Sequence, residues 1–571
     1  MTTSRSHAGL LRVAKKIFLP LLRIIALAGL IASTVSLAGP HQASSDTEVT
    51  LRKIVAAGQF AKLRWPNFSD YQIHVKNFYE PSAYALAWIQ NGEPTPQARS
   101  VIETLQQADS KGLYPEDYDG SRWPDRLARI RSSPSANDEA GFDVALTVCA
   151  MRYISDLRIG RVNPRHFKFN LGVGPKKYDL PSFLREKLVS SADPGGQLAQ
   201  AEPPFAGYKR TLEALQHYLK LARNDDGEKL PVPGKTVEPG SPYDGLPRLM
   251  RLLRLLGDLP ADAAVPEGTK IYNGALVKAV ARFQDRHGLA PDGRLGSETL
   301  KQLNTPLSFR VEQIRLTLER WRWVPYEFRS LPIVVNIPEF RLRAFNDDGN
   351  VGLRMNVIVG KAYRHETPVF ERDMKYVVFR PYWNVPISIQ RSEIVPAIRK
   401  DRNYVANKNY EVITTKGSVV TSGEITDDVL EKLTTGKLMV RQKPGPSNAL
   451  GLVKLMFPNE YNVYLHSTPS PQLFSQKRRD FSHGCIRVEQ PADLAAWVLR
   501  DKPDWTLESV RTAMQMGKDN AHVNLAHPVP VLILYGTAVV DEQGLVHFFN
   551  DIYGHDASLA KVLAKGYPYP G

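Results

Sequence analysis

Cysteine is the residue that this sequence uses least: among 571 residues only Cys149 and Cys485 are cysteines. A framework of several disulfide bonds is therefore excluded. After residue 38 no run of eighteen apolar residues occurs, so the rest of the chain offers no candidate transmembrane helix. Internal repeats and low-complexity tracts are also missing. With 43% hydrophobic and 23% charged residues, the composition is that of a globular protein of several domains.

The N-terminal segment combines basic residues, no acidic ones and an apolar run. It reads "MTTSRSHAGLLRVAKKIFLPLLR" and then "IIALAGLIASTVSLA", with small residues at Ser36 and Ala38. This order is typical of a secretory signal, so we predict a signal peptide over residues 1–38. The alternative is an uncleaved anchor that contacts the inner membrane, because the apolar run nearly reaches the length of a span. Both interpretations export the remainder of the chain.

Positive charge is in excess, since 74 Lys and Arg against 59 Asp and Glu give a net charge of +15. Basic proteins bind polyanions such as nucleic acid, membrane surfaces or cell wall. Export removes most nucleic-acid targets, so we expect no nucleic-acid partner. The basic residues are spread along the chain, and a solvated basic surface is the plain alternative.

Residues 47–256 show the spacing of amphipathic helices, which predicts a helical scaffold domain. In "TPQARSVIETLQQADSKGL", Thr95 is placed to cap a helix, Pro96 to open it and Gly112 to end it. In a later helix Cys149 falls on the apolar face, so we expect a small buried side chain rather than half of a disulfide.

Residues 266–305 contain the compact stretch "IYNGALVKAVARFQDRHGLAPDGRLGSETLKQLN". Gly288 is expected to end one helix and Ser297 to cap the next. The stretch resembles the small three-helix peptidoglycan-binding domain at Phe283, Gln284, His287, Gly288, Leu289, Asp292, Gly293, Gly296, Thr299, Leu300, Leu303 and Asn304. Most of these positions support a fold rather than a ligand, so an inert spacer remains the alternative.

From residue 331 onward short β-rich runs such as "LPIVVNIPEFRLRAF" replace the helices. They predict a β-rich domain over residues 331–500. A C-terminal extension, residues 505–571, is expected to pack on the scaffold. Residues 387–443 are too long for a simple strand connection and are partly helical in pattern. The fold class is therefore multidomain α+β, with a helical scaffold, a small helical module and a β-rich domain that carries an insertion.

The second cysteine lies in "DFSHGCIRVEQ", beside a glycine and among polar neighbours, as at a turn. A cysteine nucleophile needs a base or a cation to supply its thiolate. In "YNVYLHS" the alternation places His466 at a strand end, facing away from the apolar side, where it can meet Cys485. Ser467 would orient the imidazole through a hydroxyl or a carbonyl. Gly484 permits an unusual backbone, and its N–H and that of the cysteine would face an oxyanion.

Two residues beside the cysteine have competing interpretations. His483 is either catalytic or holds the turn by hydrogen bonds. Arg487 is either a surface ion-pair residue or a bidentate ligand for a substrate carboxylate. Two histidines and a cysteine could also hold zinc, but a helix of the HExxH type is absent.

The ordered stretch "HSTPSPQLFSQKRRDFSHGCIRV" resembles the signature of the L,D-transpeptidases. The matching residues are His466, Ser482, His483, Gly484, Cys485, Ile486 and Arg487. The arginine at its end is similar to the large periplasmic subgroup often called YcbB-like. That resemblance covers nearly all of the exported chain and includes "SDLRIGRVNP", "PYWNVP", "QKPGPSNALGLVKLMFPN" and "NDIYGHD".

The resemblance implies an L,D-transpeptidase (YkuD-type) fold and a peptidoglycan tetrapeptide stem as substrate. Cys485 would attack the carbonyl of the third residue, usually meso-diaminopimelate, and release the terminal D-Ala. With His466 as base, the thioester would pass to an amine of a second stem as a 3→3 cross-link. Tyr464 would line the acyl pocket. The other residues expected to contact substrate are Ser482, Asn448 and Arg487.

By the same resemblance the reaction uses no cofactor, metal or ATP, carbapenems acylate the cysteine, and residues 387–443 form a capping subdomain over it. The expected partners are donor and acceptor stem peptides and other cell-wall synthases. Three alternatives stay open. The acceptor is water, as in an L,D-carboxypeptidase; it is a lysine of an outer-membrane lipoprotein; or the chain is a non-catalytic wall-binding scaffold.

Overall fold

The computed structural model describes residues 45–132, 134–264, 268–328, 330–363 and 365–566. The predicted signal peptide or anchor, residues 1–38, lies outside these residues. Among the helices described, none combines the length and the apolar character that crossing a membrane would require.

The scaffold consists mainly of helices. Its elements are α1 (Ser45–Ala57), α2 (Gln72–Tyr79), β1 (Ile89–Gln90), β2 (Glu93–Pro94), α3 (Pro96–Gln106), α4 (Trp123–Arg131), α5 (Ala136–Ile159), α6 (Leu180–Phe183), α7 (Pro194–Ala199) and α8 (Ala206–Asn224). The other helices surround α5 and bury nearly all of its faces, so Cys149 at its centre is fully buried and free, as predicted. Thr95 caps α3 as predicted, since its side chain accepts a hydrogen bond from the N–H of Ala98 at 3.1 Å.

The small module has three helices, α9 (Leu246–Leu255), α10 (Gly274–Arg286) and α11 (Ser297–Leu303). They share one apolar core, to which α9 contributes Leu249 and Leu252. The sequence boundary at residue 256 had assigned α9 to the scaffold, but its apolar stripe packs with α10 instead. Gln284 ties α10 to the following turn: it donates to Asp292 Oδ1 at 2.9 Å and accepts from the N–H of Gly293 at 2.8 Å.

The remaining chain builds the catalytic domain and its insertion. Its elements are α12 (Leu307–Trp321), β3 (Ile333–Asn336), β4 (Arg341–Phe345), β5 (Val351–Gly360), β6 (Phe370–Phe379), β7 (Trp383–Asn384), α13 (Ile387–Ile389), α14 (Val395–Lys400), α15 (Tyr404–Asn407), β8 (Tyr410–Thr414), β9 (Val419–Thr421), α16 (Asp427–Thr435), β10 (Leu438–Gln442), β11 (Val453–Met456), β12 (Leu465–His466), β13 (Asp480–Ser482), β14 (Ile486–Val488), α17 (Pro491–Val498), α18 (Leu507–Met516), β15 (Ala521–Leu534), β16 (Ala538–Val540), β17 (Val546–Phe548) and α19 (His555–Leu563). Over the described residues, a nine-stranded sheet runs in the order β13-β5-β14-β12-β11-β6-β15-β3-β4. Because β4 also pairs with β5, the sheet closes into a ring around an apolar core.

The C-terminal segment differs from the expectation that residues 505–571 form an extension outside the catalytic domain. β15 inserts between β6 and β3, antiparallel to the first and parallel to the second. Its Val531 pairs with Ile333, a contact between residues far apart in sequence that no local pattern reveals. The hairpin β16–β17 does pack with α8 and α12, in an apolar cluster of its own.

The insertion forms a subdomain, which we call the lid and define as residues 383–442. Its sheet has the order β7-β10-β8-β9 with antiparallel neighbours. Residues such as Val385, Ile398 and Leu433 give the lid an apolar core separate from that of the ring. The chain leaves the ring after β6 and returns to it at β11. Two chain segments therefore connect the lid to the catalytic sheet.

Candidate active site

The cysteine turn lies between β13 and β14 and is held from within by a serine. Gly484 has a φ of +113°, a backbone region that favours glycine, as the sequence predicted. The Ser482 hydroxyl accepts a hydrogen bond from the N–H of Gly484 at 3.1 Å and donates to the carbonyl of Cys485 at 2.5 Å. The N–H of Gly484, which was expected to face an oxyanion, is therefore already engaged. Ser482 shapes the turn instead of facing the substrate.

A second set of contacts supports the same turn from Thr367, in the loop between β5 and β6, and from Tyr553 in the C-terminal tail. The Thr367 hydroxyl donates to the carbonyl of Gly484 at 2.8 Å and accepts from the N–H of Gly360 at 2.9 Å. The Tyr553 hydroxyl donates to the Gly360 carbonyl at 2.5 Å and accepts from the N–H of Thr367 at 3.3 Å. Sequence reasoning singled out neither side chain, although Tyr553 falls inside the quoted "NDIYGHD". Thr367 therefore holds the backbone of the cysteine turn directly, and Tyr553 supports the turn only through Thr367 and Gly360.

Strand pairing brings the predicted base to the cysteine. β12 runs parallel to β14, with Leu465 opposite Ile486 and His466 opposite Arg487. Leu465 and Ile486 point into the apolar core, so their neighbours on each strand point to the opposite face of the sheet. That face, which we call the catalytic face, therefore carries His466 and Arg487, with Cys485 just before Ile486 on the same side.

His466 is a neutral base with a defined tautomer. It is 4% exposed, and its Nδ1–H donates to the carbonyl of Ser467 at 2.6 Å. Because a carbonyl only accepts, the proton is on Nδ1 and the lone pair is on Nε2. Burial, followed by the charge of Arg487, lowers the pKa of His466 to about 3. Ser467 thus orients the ring through its carbonyl, one of the two predicted ways.

Cys485 is a protonated thiol at neutral pH, and its neighbours favour the thiolate form. Burial raises its pKa above the ordinary value, and hydrogen bonds from Tyr464 and the charges of Lys454 and Arg487 oppose that rise. Its Sγ lies 3.6 Å from the carbonyl oxygen of Asn462. A thiol beside a neutral imidazole has to pass its proton to the base during attack.

Two cations on the catalytic face have no acidic partner among the described residues. Arg487 is half-buried, and its Nε is buried without a hydrogen-bond partner. Lys454 lies opposite His466 on β11, and burial lowers its pKa. Sequence reasoning missed Lys454, although the alternation in "LVKLM" carries the same signal that placed the histidine. Arg487 is not the surface ion-pair residue that was one of its two interpretations.

Asn448 does not face the site, which corrects its predicted contact with substrate. It is 0% exposed and its side chain is fully used by backbone groups. Its Nδ2 donates to the carbonyls of Pro381 at 3.1 Å and Lys443 at 2.9 Å, and its Oδ1 accepts from the N–H of Leu450 at 2.8 Å. Asn448 therefore fastens the two ends of the lid to the ring.

His483 joins the cysteine turn to the lid. Its Nε2–H donates to Glu393 Oε1 at 2.6 Å, and Glu393 belongs to the lid. Its ring also meets that of His365 edge-on, with 4.7 Å between centroids. Of the two interpretations of His483, these contacts support the structural one, in which the imidazole connects the cysteine turn to the lid. Within the described residues, no cluster of three or more His, Cys, Asp or Glu could hold a metal ion.

The chain matches three domain families in sequence. It matches the L,D-transpeptidase catalytic domain (YkuD) over residues 332–531, a scaffold domain over 74–215 and a putative peptidoglycan binding domain over 248–303. The first match includes most of β15 and the third most of α9, in agreement with the structure. The chain thus contains an L,D-transpeptidase catalytic domain and a peptidoglycan-binding domain, in the mixed α+β architecture that the sequence predicted.

One curated relative is similar to about half of the chain. A putative L,D-transpeptidase of Haemophilus influenzae is 32% identical over 276 residues, which are 48% of this chain and 54% of that protein. This chain therefore spans about half the length of the relative it matches. A crystal structure of the L,D-transpeptidase (residues 123–326) from Xylanimonas cellulosilytica covers 53% of this chain and 100% of its own, at 14% identity. Its TM-score of 0.15 is too low to support a fold assignment.

Proposed function

We propose that the protein is an exported, periplasmic L,D-transpeptidase that forms 3→3 cross-links in peptidoglycan through a cysteine thioester. One observation carries the proposal: the catalytic face presents the Cys485 thiol, a neutral His466 whose lone pair lies on Nε2, and the unpaired cation of Arg487. These are the nucleophile, the base and the carboxylate ligand that acyl transfer from a stem peptide needs.

In the first half-reaction the thiol attacks the carbonyl of the third residue of a tetrapeptide stem. A C–S bond forms while the thiol proton passes to Nε2 of His466. We assign the oxyanion to the N–H of Cys485, because that of Gly484 is bonded to Ser482. The C–N bond to the terminal D-Ala then breaks, and the imidazolium returns its proton to the leaving amine. The products are a thioester and free D-Ala.

In the second half-reaction a side-chain amine of another stem attacks the thioester. The new C–N bond forms, the C–S bond breaks, and His466 carries the proton from the amine to the departing sulfur. Water competes for the same thioester. The lid, which reaches the cysteine turn through Glu393, favours the amine if it limits the access of water. The peptidoglycan-binding module would keep the enzyme on its polymeric substrate.

Incubation with a purified disaccharide-tetrapeptide, read by mass spectrometry, tests the proposal. We expect a cross-linked dimer that has lost one D-Ala, with a thioester intermediate on Cys485. Tripeptide as the sole product would make the protein an L,D-carboxypeptidase. Transfer only to an added lysine-ended lipoprotein peptide would make it a lipoprotein-attaching enzyme. An unchanged substrate and an unmodified thiol would leave a wall-binding scaffold.

A further inference from the structure

Lys454 is a cation that the proposed reaction has not yet used. It lies in register with His466, and its Nζ is 5.5 Å from the ring centroid of Tyr464. Its flanking residues Val453 and Leu455 are buried in the ring core, so Lys454 projects from the catalytic face. No hydrogen bond or ion pair to an acidic side chain of the described residues involves it.

Arg487 lies on the same face, on the other side of His466. β12 runs between β11 and β14, so the two cations flank the histidine across three adjacent strands. A half-buried cation without a counter-charge is costly, and two such cations beside one another are more so. A pocket of this kind is complementary to an anion supplied by a ligand.

The chemistry of the donor indicates which anion this is. The terminal residue of a tetrapeptide stem carries a free carboxylate, three bonds from the carbonyl carbon that the thiol attacks. When that carbon lies at Cys485 Sγ, the carboxylate must lie within a side chain's length of it. The other carboxylates of the stem are further along the peptide or on a separate branch.

We propose that Lys454, together with Arg487, binds the terminal carboxylate of the donor stem and makes the enzyme select donors with a free C-terminal acid. This inference rests on the proposed function and adds a specificity-determining residue to it. The carboxylate leaves with D-Ala, so the two cations are unpaired again when the acceptor amine arrives, and they disfavour the protonated form of that amine.

The same contact couples donor binding to the strength of the base. The positive charges of Arg487 and Lys454 both lower the pKa of His466. A carboxylate bound between them offsets those charges, so the base strengthens only in the donor complex. The groups around His466 are Lys454 from β11, Arg487 from β14, Cys485 just before β14, Tyr464 just before β12, and the carbonyls of Ser467 and Leu450.

Two donors that differ at one group test the proposal: a tetrapeptide stem ending in D-Ala and the same stem ending in D-alaninamide. Formation of the acyl-enzyme is followed by mass spectrometry of the full chain. We expect the unaltered protein to prefer the acid by about 10- to 100-fold in the second-order rate constant, the usual value of a charge-assisted hydrogen bond. Lys454→Met should reduce that preference to a few-fold, and Lys454→Arg should retain most of it.

Lys375→Met, at an exposed lysine on the neighbouring strand β6, is the matched control and should keep the full preference. Because the preference is a ratio measured within one protein, a variant that folds only in part still reports it.

Two outcomes would overturn the inference. In one, Lys454→Met keeps the preference of the unaltered protein for the acid; in the other, the unaltered protein acylates equally fast with both donors. If neither donor acylates Cys485 in the unaltered protein, the proposed function fails instead, so the two failures are distinguishable.

Discussion

The two cysteines of this chain lie in regions that differ in their effect on the ionisation of a thiol. Cys149 lies inside the scaffold, where burial raises the pKa of its thiol far above the ordinary value. Cys485 is only partly buried; the pKa of its thiol is also raised, but Tyr464, Lys454 and Arg487 act against that rise. Burial alone leaves a thiol inert, whereas the hydroxyl, the two cations and the neutral imidazole around Cys485 are the surroundings that its proposed role as a nucleophile requires.

Removing each cysteine in turn gives the largest contrast. Cys485→Ala should abolish acylation by a carbapenem or a tetrapeptide stem, because no other described thiol is accessible, whereas Cys149→Ala should leave the rate within about twofold. Peptide mapping by mass spectrometry should find one adduct, on the peptide that contains Cys485. An adduct on Cys149, or one that persists in Cys485→Ala, would remove the distinction between the two sites.

Removing the base should make Cys485 behave more like Cys149. His466→Ala should slow acylation by roughly 10²- to 10⁴-fold, the usual contribution of a general base. The measurement is the rate of acyl-enzyme formation, with the thermal midpoint as a check on folding. His483→Ala is the matched control and should cost much less, since that imidazole contacts the lid. A similar loss in His483→Ala and an unchanged rate in His466→Ala would transfer the role of base to His483.

The pH dependence of two reactions of Cys485 distinguishes attack by a preformed thiolate from attack by a thiol that His466 deprotonates. The pKa of Cys485 is above its ordinary value, so alkylation by iodoacetamide, which needs free thiolate, should rise about tenfold per pH unit up to about pH 9. The pKa of His466 is about 3, so its base form predominates throughout this range, and acylation by a carbapenem should be nearly flat from about pH 5 to 8. If acylation instead rises in step with alkylation, a preformed thiolate is the nucleophile and His466 is not its base.

The smallest expected effect concerns the contact between the lid and the cysteine turn. Glu393→Gln weakens the contact between the lid and His483, and exposed pairs of this kind contribute about 0–1 kcal/mol. The ratio of hydrolysed tripeptide to cross-linked dimer should therefore rise by up to about fivefold, as read by mass spectrometry. Asp427→Asn breaks an exposed lid pair with Arg402 and should leave the ratio unchanged. Equal ratios in all three proteins would show that this contact does not govern the acceptor.

Local pattern predicted those parts of the site that depend on one strand or one turn. Alternation in "YNVYLHS" placed His466 on the face opposite the core, and the glycine in "SHGC" predicted the positive φ of Gly484. The helix cap at Thr95 was equally readable, whereas the predicted cap Ser297 is the first residue of α11 and Gly296 is its N-cap. In each case the determining contacts lie within a few residues, where backbone geometry leaves few choices.

What the sequence did not reveal depends on contacts between distant segments. Asn448 stands in a motif of the family resemblance, but its burial and its backbone partners come from the junction with the lid. Thr367 supports the cysteine turn from a loop more than a hundred residues earlier in the chain. Lys454 was not singled out from the sequence, because its place opposite His466 on β12 is known only from the register of the sheet. Burial and register are tertiary properties that propensity does not encode.

The position of β15 in the ring has a consequence for the order in which the protein is made and folded. Residues 521–534 complete the hydrogen bonding of both β6 and β3, so the ring stays open, with two unpaired strand edges, until that segment is present. The scaffold core uses only residues before 202 and can form much earlier. The sheet that supports Cys485 therefore forms late, because it needs pairing between strands that are far apart in sequence. A chain interrupted before β15 would present an aggregation-prone edge rather than an active thiol.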